Sequence, residues 1–209
     1  MNSLKTILLI CPDCSASLTG NSIDRTFFCP EEGKAYDLSS GEVKKICKVK
    51  YVKEVKKIEG SLFYLPFYHF EIIPHLNWKS YSKKEIFVPE QIFIAGYLTG
   101  KSGYFTDFGI IYTRLNIKLD FIDKKFHLSG CSVSINEASA LIEAAFLTII
   151  NRQRDIKELS LNFEIKETEI LAFPFYLKDD KIFDGITGEK IPKNAVEGIE
   201  EIINKVNSK

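Results

Sequence analysis

The chain has 209 residues, of which 45% are hydrophobic, and its 28 basic and 28 acidic side chains give a formal net charge of zero. This composition excludes an intrinsically disordered chain, and the charge balance argues against a protein built to coat nucleic acid or anionic membrane. The length allows one large core and a small satellite domain. With 16 Phe and 9 Tyr against one Trp, the aromatic content suits a core rich in strands.

Targeting and membrane signals are weak in this sequence. The apolar stretch 4–10 is too short for a membrane helix or a secretory signal, and it runs directly into a cysteine motif. The chain has five cysteines, an odd number, and three of them have the spacing of metal ligands. Such cysteines suit a reducing compartment better than a disulfide framework. We therefore expect a cytoplasmic protein with no membrane partner.

Two Cys-Pro motifs near the N-terminus carry the strongest signal. The first reads Cys11-Pro12-Asp13-Cys14, and fourteen residues later the second reads Cys29-Pro30-Glu31-Glu32-Gly33. In a zinc ribbon, two Cys-x-x-Cys knuckles turn four thiolates toward one tetrahedral ion. Glu32 stands where the fourth cysteine is expected, and a carboxylate can also bind zinc. The sequence therefore predicts a structural zinc ion held by Cys11, Cys14, Cys29 and Glu32.

Other interpretations of these cysteines stay open. The ribbon could hold no metal and rest on apolar packing against a larger domain. A redox role for Cys11 and Cys14 is less favoured, because the segment 15–20 is turn-like and does not begin a helix that would lower a thiol pKa. Alternative fourth ligands lie far along the chain, at Cys47, His69, His75 and His127.

In chain order, the predicted elements divide the sequence into three parts. A zinc-ribbon-like domain spans 1–45 and is too small to fold on apolar burial alone. A lysine-rich linking strand spans 46–60, and an α+β domain spans 61–209. The strands of the ribbon are predicted at 4–10, 23–28 and 35–38.

The larger domain begins with strands. Pro66 and Pro89 interrupt or flank two of them, which predicts edge or bulged strands because proline cannot donate to a sheet ladder. The glycine-rich segment 100–108 is predicted as a loop. Aromatic and β-branched residues predict strands at 62–73, 85–88, 91–98, 117–122, 125–128, 159–165 and 169–176.

Two helices complete the predicted domain. Ser134-Ile135-Asn136-Glu137 has the pattern of a capping box, and apolar residues then recur at helical spacing through 138–150. A C-terminal helix is predicted from near Pro192. The predicted fold class is therefore α+β: a three-stranded zinc-ribbon-like unit, then a mainly antiparallel β domain with one buried and one C-terminal helix.

The chain resembles a group of prokaryotic proteins that join an N-terminal zinc ribbon to an aromatic-rich β domain. Besides the cysteine motifs, the resemblance is carried by 64–68 (Tyr-Leu-Pro-Phe-Tyr), 87–89 (Phe-Val-Pro), 137–138 (Glu-Ala), 174–175 (Pro-Phe) and 184–188 (Asp-Gly-Ile-Thr-Gly). It implies a shared fold and no established activity. In the usual ribbon pattern all four ligands are cysteines, and Glu32 departs from that pattern.

Three functions are consistent with these residues. We favour a non-catalytic binding or adaptor protein whose partner is another protein, bound through edge strands near Pro66 and Pro89. A single-stranded nucleic-acid binder would instead use the lysines of 44–57. An enzyme would use His127 and Cys131 as a base and nucleophile, although a buried cysteine beside a strand histidine is the more ordinary arrangement.

Overall fold

The fold is described from a computed structural model over residues 9–38, 41–80, 87–98, 108–123, 126, 128–151 and 156–207. These residues form an α+β fold with most of its strands in a mixed sheet and few helices, so the α+β class is confirmed, while the zinc-ribbon-like unit stays a prediction. The strands are β1 (Thr26–Cys29), β2 (Lys34–Asp37), β3 (Lys44–Val52), β4 (Ser61–Ser80), β5 (Gln91–Ala95), β6 (Phe121–Ile122), β7 (Ile156–Lys178), β8 (Lys181–Asp184) and β9 (Lys190–Pro192). The helices are α1 (Phe108–Leu115), α2 (Ile135–Ala140), α3 (Ile142–Asn151) and α4 (Ile199–Asn207), and a 3-10 turn at Lys193–Ala195 precedes α4.

The described strands follow the order β1-β2-β3-β7-β4-β5, with β6 beside β3 and the β8–β9 pair beside β7. Most neighbours are antiparallel, but β3 runs parallel to β7, with Lys50 opposite Leu171. The sheet is therefore mixed rather than wholly antiparallel. β3 pairs with β2 through its first half and with β7 through its second half, so one strand connects the cysteine loops to the long central strands.

The central pair β4 and β7 separates two hydrophobic cores. The strands have 20 and 23 residues, and their side chains alternate between the two faces of the sheet. One face, which includes Phe70, packs with Phe146 of α3. The other face, which includes Phe67 and Phe173, packs with Tyr112 of α1 and with α4. The high aromatic content of the sequence is used mainly in these two layers.

Pro66 lies in a central strand at a regular position of the β4–β7 ladder, which differs from the edge or bulged position expected from the sequence. β4 runs between β7 and β5 without a break, but β5 ends opposite Phe67. The carbonyl of Pro66 accepts the N–H of Gly96 at 2.9 Å. The nitrogen of Pro66 therefore points toward the same side of β4, just beyond the last residue pair of the β4–β5 ladder. The proline therefore removes no ladder bond.

The predicted buried helix is present as α2 and α3, with a break at Leu141. The predicted capping box is confirmed: Ser134 Oγ accepts the N–H of Glu137 at 3.3 Å, and the Glu137 carboxylate accepts the N–H of Ser134 at 2.8 Å. The predicted C-terminal helix is also present as α4. The helix α1 was not predicted, because Ile, Tyr and Thr dominate its sequence and favour strands.

Substitution of Ser134 by Ala is expected to destabilise the protein by about 1 kcal/mol, because the first turn of α2 loses its N-cap acceptor. Urea denaturation followed by circular dichroism measures this change. Ser134→Thr, which keeps a hydroxyl that can accept from the N–H of Glu137 and donate to its carboxylate, should restore most of the stability. Equal losses in the two variants would contradict a capping role.

Several predicted strands differ in extent. The segments 159–165 and 169–176 belong to one strand, β7, and 62–73 extends to Ser80 as β4. From the predicted 117–122 strand only Phe121–Ile122 forms, beside β3, and its hairpin partner includes Lys125 and His127, which lie outside the described residues. The predicted first ribbon strand, 4–10, is described only from Leu9. The division into domains at 45 and 60 stays a prediction.

Candidate metal centre

The two cysteine motifs form loops with the same backbone geometry. In the first loop the N–H of Ser15 donates to the carbonyl of Cys11 at 2.9 Å, and Ser15 has a φ of 62°. In the second, the N–H of Gly33 donates to the carbonyl of Cys29 at 3.0 Å, and Gly33 has a φ of 61°. Both loops thus end in a left-handed residue. Glu32 occupies in the second loop the position that cysteine occupies in the first.

The sulfur atoms of Cys11, Cys14 and Cys29 lie within 4.8 Å of one another. The Sγ atoms of Cys14 and Cys29 are 3.4 Å apart. Four tetrahedral thiolates at about 2.3 Å from zinc would be separated by roughly 3.8 Å, so the three sulfurs fit one zinc ion with small side-chain movements. Cys11 and Cys29 are buried and Cys14 is exposed. The cluster therefore lies at the surface, where an ion has access to it.

The carboxylate of Glu32 is bound to a lysine. Its Oε2 lies 2.7 Å from Nζ of Lys34, and the same ammonium lies 2.9 Å from Oδ2 of Asp13 in the first loop. Among the described residues, the group of ligand atoms within 4.8 Å of one another contains the three thiols and does not include Glu32. Three of the four predicted ligands come together. Glu32 as the fourth stays a prediction that requires its side chain to turn away from Lys34.

Hydrogen-bond donors surround the sulfur atoms. The hydroxyl of Tyr36 lies 3.1 Å from Cys11 Sγ and donates to Asp13 Oδ2 at 3.1 Å, and its single proton can instead be donated to the sulfur when Cys11 is a thiolate. The backbone N–H of Glu32 is directed at Cys29 Sγ at 3.4 Å. Such donors stabilise thiolates and orient them toward a metal. Sequence reasoning missed Lys34 and Tyr36, although strand alternation directly after the second loop places these two residues on one face of β2.

The thiols of Cys11 and Cys14 differ in acidity. Burial raises the pKa of Cys11, but hydrogen bonds from the Tyr36 hydroxyl and from backbone amides outweigh it and bring the pKa to about 7. A backbone hydrogen bond from Ala16 favours the Cys14 thiolate, but burial and the neighbouring sulfurs of Cys29 and Cys11 raise its pKa to about 11. One thiol of the cluster therefore ionises readily and discourages ionisation of its neighbour.

The alternative ligands and the alternative nucleophile lie elsewhere. Cys47 is on β3 opposite Ala35, and burial raises its pKa to about 12. His75 is exposed on β4, whereas His69 is buried on the same strand opposite Phe93 of β5. His127 is outside the described residues. The Cys131 thiol is buried and burial raises its pKa well above the usual value, which does not favour a nucleophile at this position.

A row of polar side chains crosses four neighbouring strands and was not expected from the sequence. His69 Nδ1 lies 3.2 Å from Glu169 Oε1, and its Nε2 lies 3.2 Å from Gln91 Oε1. Lys50 Nζ lies 2.5 Å from Glu169 Oε2. Burial raises the pKa of Glu169, but hydrogen bonds from His69 and Lys50 outweigh it and hold the pKa below its ordinary value. The row thus neutralises one lysine of the predicted nucleic-acid surface.

Substitution of Glu169 by Gln is expected to cost about 1–3 kcal/mol at neutral pH, since the Lys50 ammonium loses its charged partner. Because the pKa of Glu169 is lower in the folded than in the unfolded chain, its contribution is complete above the unfolded pKa. It is lost as the pH falls through the folded pKa. Urea denaturation of both proteins at pH 7 and pH 3 measures the difference, which should shrink in acid. A difference that grows in acid would contradict this ion pair.

Comparisons with known proteins place no family or fold name on the chain: no protein-family model, no curated protein and no solved structure matches it. The resemblance to ribbon-bearing prokaryotic proteins therefore stays a prediction. None of the helices in the described ranges has the length and apolar character that a membrane span requires.

Proposed function

We propose that the protein is a non-catalytic binding module in which a structural zinc ribbon supports a β-rich domain. The observation that carries this proposal is that the two cysteine loops have equivalent backbone hydrogen bonds and bring three sulfur atoms close together. Zinc accepts thiolate and carboxylate ligands, and a structural site closes with protein ligands while a catalytic site usually carries histidine and water. The thiol-only cluster favours the structural role. Because these thiols must stay reduced, we place the protein in the cytoplasm.

Elemental analysis of the purified full-length protein tests the zinc centre. We expect about one equivalent of zinc per chain, since three convergent thiolates form one site. The variant Cys29→Ser should lose the metal. The matched control Cys47→Ser, which removes a thiol outside the cluster, should keep it. Equal metal content in the two variants, or none in the unaltered protein, would reject the centre.

The proposed partner surface is on an arm formed where β4 and β7 extend past β5, comprising 72–80 and 156–165. One face of the arm is apolar and contacts the first core through Leu76, Leu161 and Phe163. The opposite face exposes polar side chains in cross-strand pairs, with His75 opposite Asn162 and Asn77 opposite Ser160, and it also carries the exposed Glu164 opposite Ile73. Such side chains offer both donors and acceptors to a protein partner.

Strand addition along the edges of the arm is not supported. On the β4 edge, Pro74 has no N–H to donate. On the β7 edge, Lys166 is an extra residue in a bulge, since Glu167 and Ile165 face consecutive residues of β4. The N–H of Phe163 is already bound by the side chain of Asn162 at 2.9 Å. The polar face, rather than an edge, is therefore the proposed contact.

A charge placed on this face tests the surface. A partner captured from cell extract is purified, and its affinity is measured for the unaltered chain and for Asn77→Asp. We expect at least about a tenfold loss of affinity, the scale of a central contact. The control Asn194→Asp makes the same chemical change at another exposed position and should bind normally. Equal affinities for the two variants would remove the arm from the proposal.

A second candidate, single-stranded nucleic-acid binding, is favoured by one ring. Phe121 is 47% exposed, and Lys50 Nζ lies 5.3 Å from the centre of its ring. Aromatic stacking contributes about 1–3 kcal/mol per base, so Phe121→Ala should weaken binding by that amount. Fluorescence anisotropy with a labelled oligonucleotide of mixed sequence at low salt measures it. Absence of binding by the unaltered protein at low salt would eliminate this candidate.

A further inference from the structure

We propose that the metal centre takes its fourth ligand from outside the chain, as a thiolate sulfur that binds where Glu32 replaces the expected cysteine. This inference rests on the proposed zinc centre and goes beyond it, because a structural ribbon normally closes with four ligands of its own. The thiolate could belong to a small cellular thiol or to a cysteine of the partner protein. The shared chemistry is a soft anionic sulfur donor.

The Glu32 carboxylate already has a strong partner, the Lys34 ammonium. It lies 2.7 Å from the Lys34 ammonium, and this lysine also binds Asp13 at 2.9 Å. To reach the thiols, the carboxylate would have to exchange a charge-assisted hydrogen bond for a place among three soft ligands. Zinc with three thiolates accepts a fourth sulfur readily, and a thiolate suits it better than a hard carboxylate.

The two loops are held together without a fourth metal ligand from this chain. The Lys34 ammonium bridges one carboxylate from each loop, Asp13 from the first and Glu32 from the second. Tyr36, two residues further along β2, donates to Asp13 and lies 3.1 Å from Cys11 Sγ. These contacts fix the loops as a fourth thiolate would in a complete ribbon. The position opposite the three sulfurs is therefore not needed for closure.

The side of the cluster next to Glu32 is open to solvent. Cys14 and Glu32 are exposed residues, so a ligand can approach this side of the cluster from solvent. The Lys34 ammonium lies beside the approach, and its side chain is 24% exposed. Asp13 and Glu32 both pair with this ammonium, so the preference for a thiolate comes from the soft metal and not from local positive charge. An incoming thiol would lose its proton to solvent as its sulfur binds the metal, with no change in oxidation state.

The test uses the full-length protein loaded with Co²⁺, whose sulfur-to-metal charge-transfer absorption reports the number of bound thiolates. Addition of 2-mercaptoethanol is expected to raise this absorption by about one third, as the thiolates on the metal go from three to four. A short cysteine-containing peptide forms a second arm. Equal affinity for both probes would indicate that the fourth ligand is a small thiol. Tighter binding of the peptide would indicate that it is a cysteine of the partner protein.

Two variants make the result decisive. Glu32→Gln cannot supply a carboxylate, but its amide oxygen can still accept a hydrogen bond from Lys34 and keep the loops joined, so it should have the same spectrum and thiol response as the unaltered protein. Glu32→Cys should show the four-thiolate spectrum alone and should not respond to added thiol. If Glu32→Gln alters the spectrum and the unaltered protein ignores both thiols, Glu32 is the fourth ligand and the inference is overturned. Failure of the unaltered protein to bind Co²⁺ at all would instead reject the zinc centre itself.

Discussion

Removal of zinc with a chelator is expected to lower the free energy of unfolding by about 4 kcal/mol, relative to protein at free zinc a thousandfold above its dissociation constant. The reason lies in the small core of the proposed ribbon. Its buried members are Cys11, Leu18, Phe27, Cys29 and Tyr36. Two of these five are proposed metal ligands, so the ion replaces packing that a unit of this size cannot supply.

Urea denaturation with and without chelator measures this effect. Cys29→Ser should behave like the chelated protein and should not respond to chelator, because its site has lost a ligand. Cys47→Ser should respond as the unaltered protein does. A stability that is indifferent to chelator in zinc-loaded, unaltered protein would show that apolar packing alone holds the ribbon.

Substitution of Phe67 by Ala is expected to cost about 3–5 kcal/mol, the range for truncating a fully buried aromatic ring. Phe67 is completely buried at the centre of the second core. Its ring lies 5.0 Å from that of Phe173, 5.3 Å from that of Tyr112 and 5.5 Å from that of Tyr97. A cavity here would remove contacts to β7, to α1 and to the segment after β5 together.

The control for this prediction is Phe121→Ala, which makes the same chemical change at a half-exposed ring. It should cost less than about 1 kcal/mol, as surface substitutions usually do. Urea denaturation midpoints, at unchanged slope, give both values. Similar losses for the two substitutions would contradict the placement of Phe67 at the centre of the core.

Features set by neighbouring residues could be predicted from the sequence. The spacing of Cys11, Cys14 and Cys29 predicted their convergence, because each loop is closed by its own backbone hydrogen bonds. Ser134 and Glu137 predicted a helix start, since the two side chains bond each other's backbone. These signals depend on a few residues in sequence and are independent of the rest of the fold.

Features set by distant contacts could not be predicted in this way. The residues of α1 favour strands, yet Thr113 Oγ1 accepts the N–H of Phe93 at 3.0 Å and so covers the edge of β5. That contact exists only once both elements are placed. The parallel pairing of β3 with β7 likewise joins residues more than a hundred positions apart, such as Val49 and Ile170. Tertiary packing overrides local propensity in α1, whereas local propensity indicates the strands β3 and β7 but not which strands pair.

The candidate metal centre could likewise be predicted only in part from the sequence. The sequence indicated which thiols converge, but it did not reveal that Lys34 binds carboxylates of both loops or that Tyr36 reaches Cys11. Both residues lie on β2, and their roles depend on how the first loop folds over that strand. The alternation of Lys34 and Tyr36 along β2, directly after the second loop, was the signal available in the sequence.

X-ray absorption at the zinc edge of the full-length protein, purified without added thiol, tests the central claim most directly. We expect three sulfur atoms at about 2.3 Å and one light-atom ligand at about 2.0 Å. In Glu32→Cys the shell should become four sulfurs. A zinc shell without sulfur, or one that Cys29→Ser leaves unchanged, would contradict a metal centre built on these three cysteines.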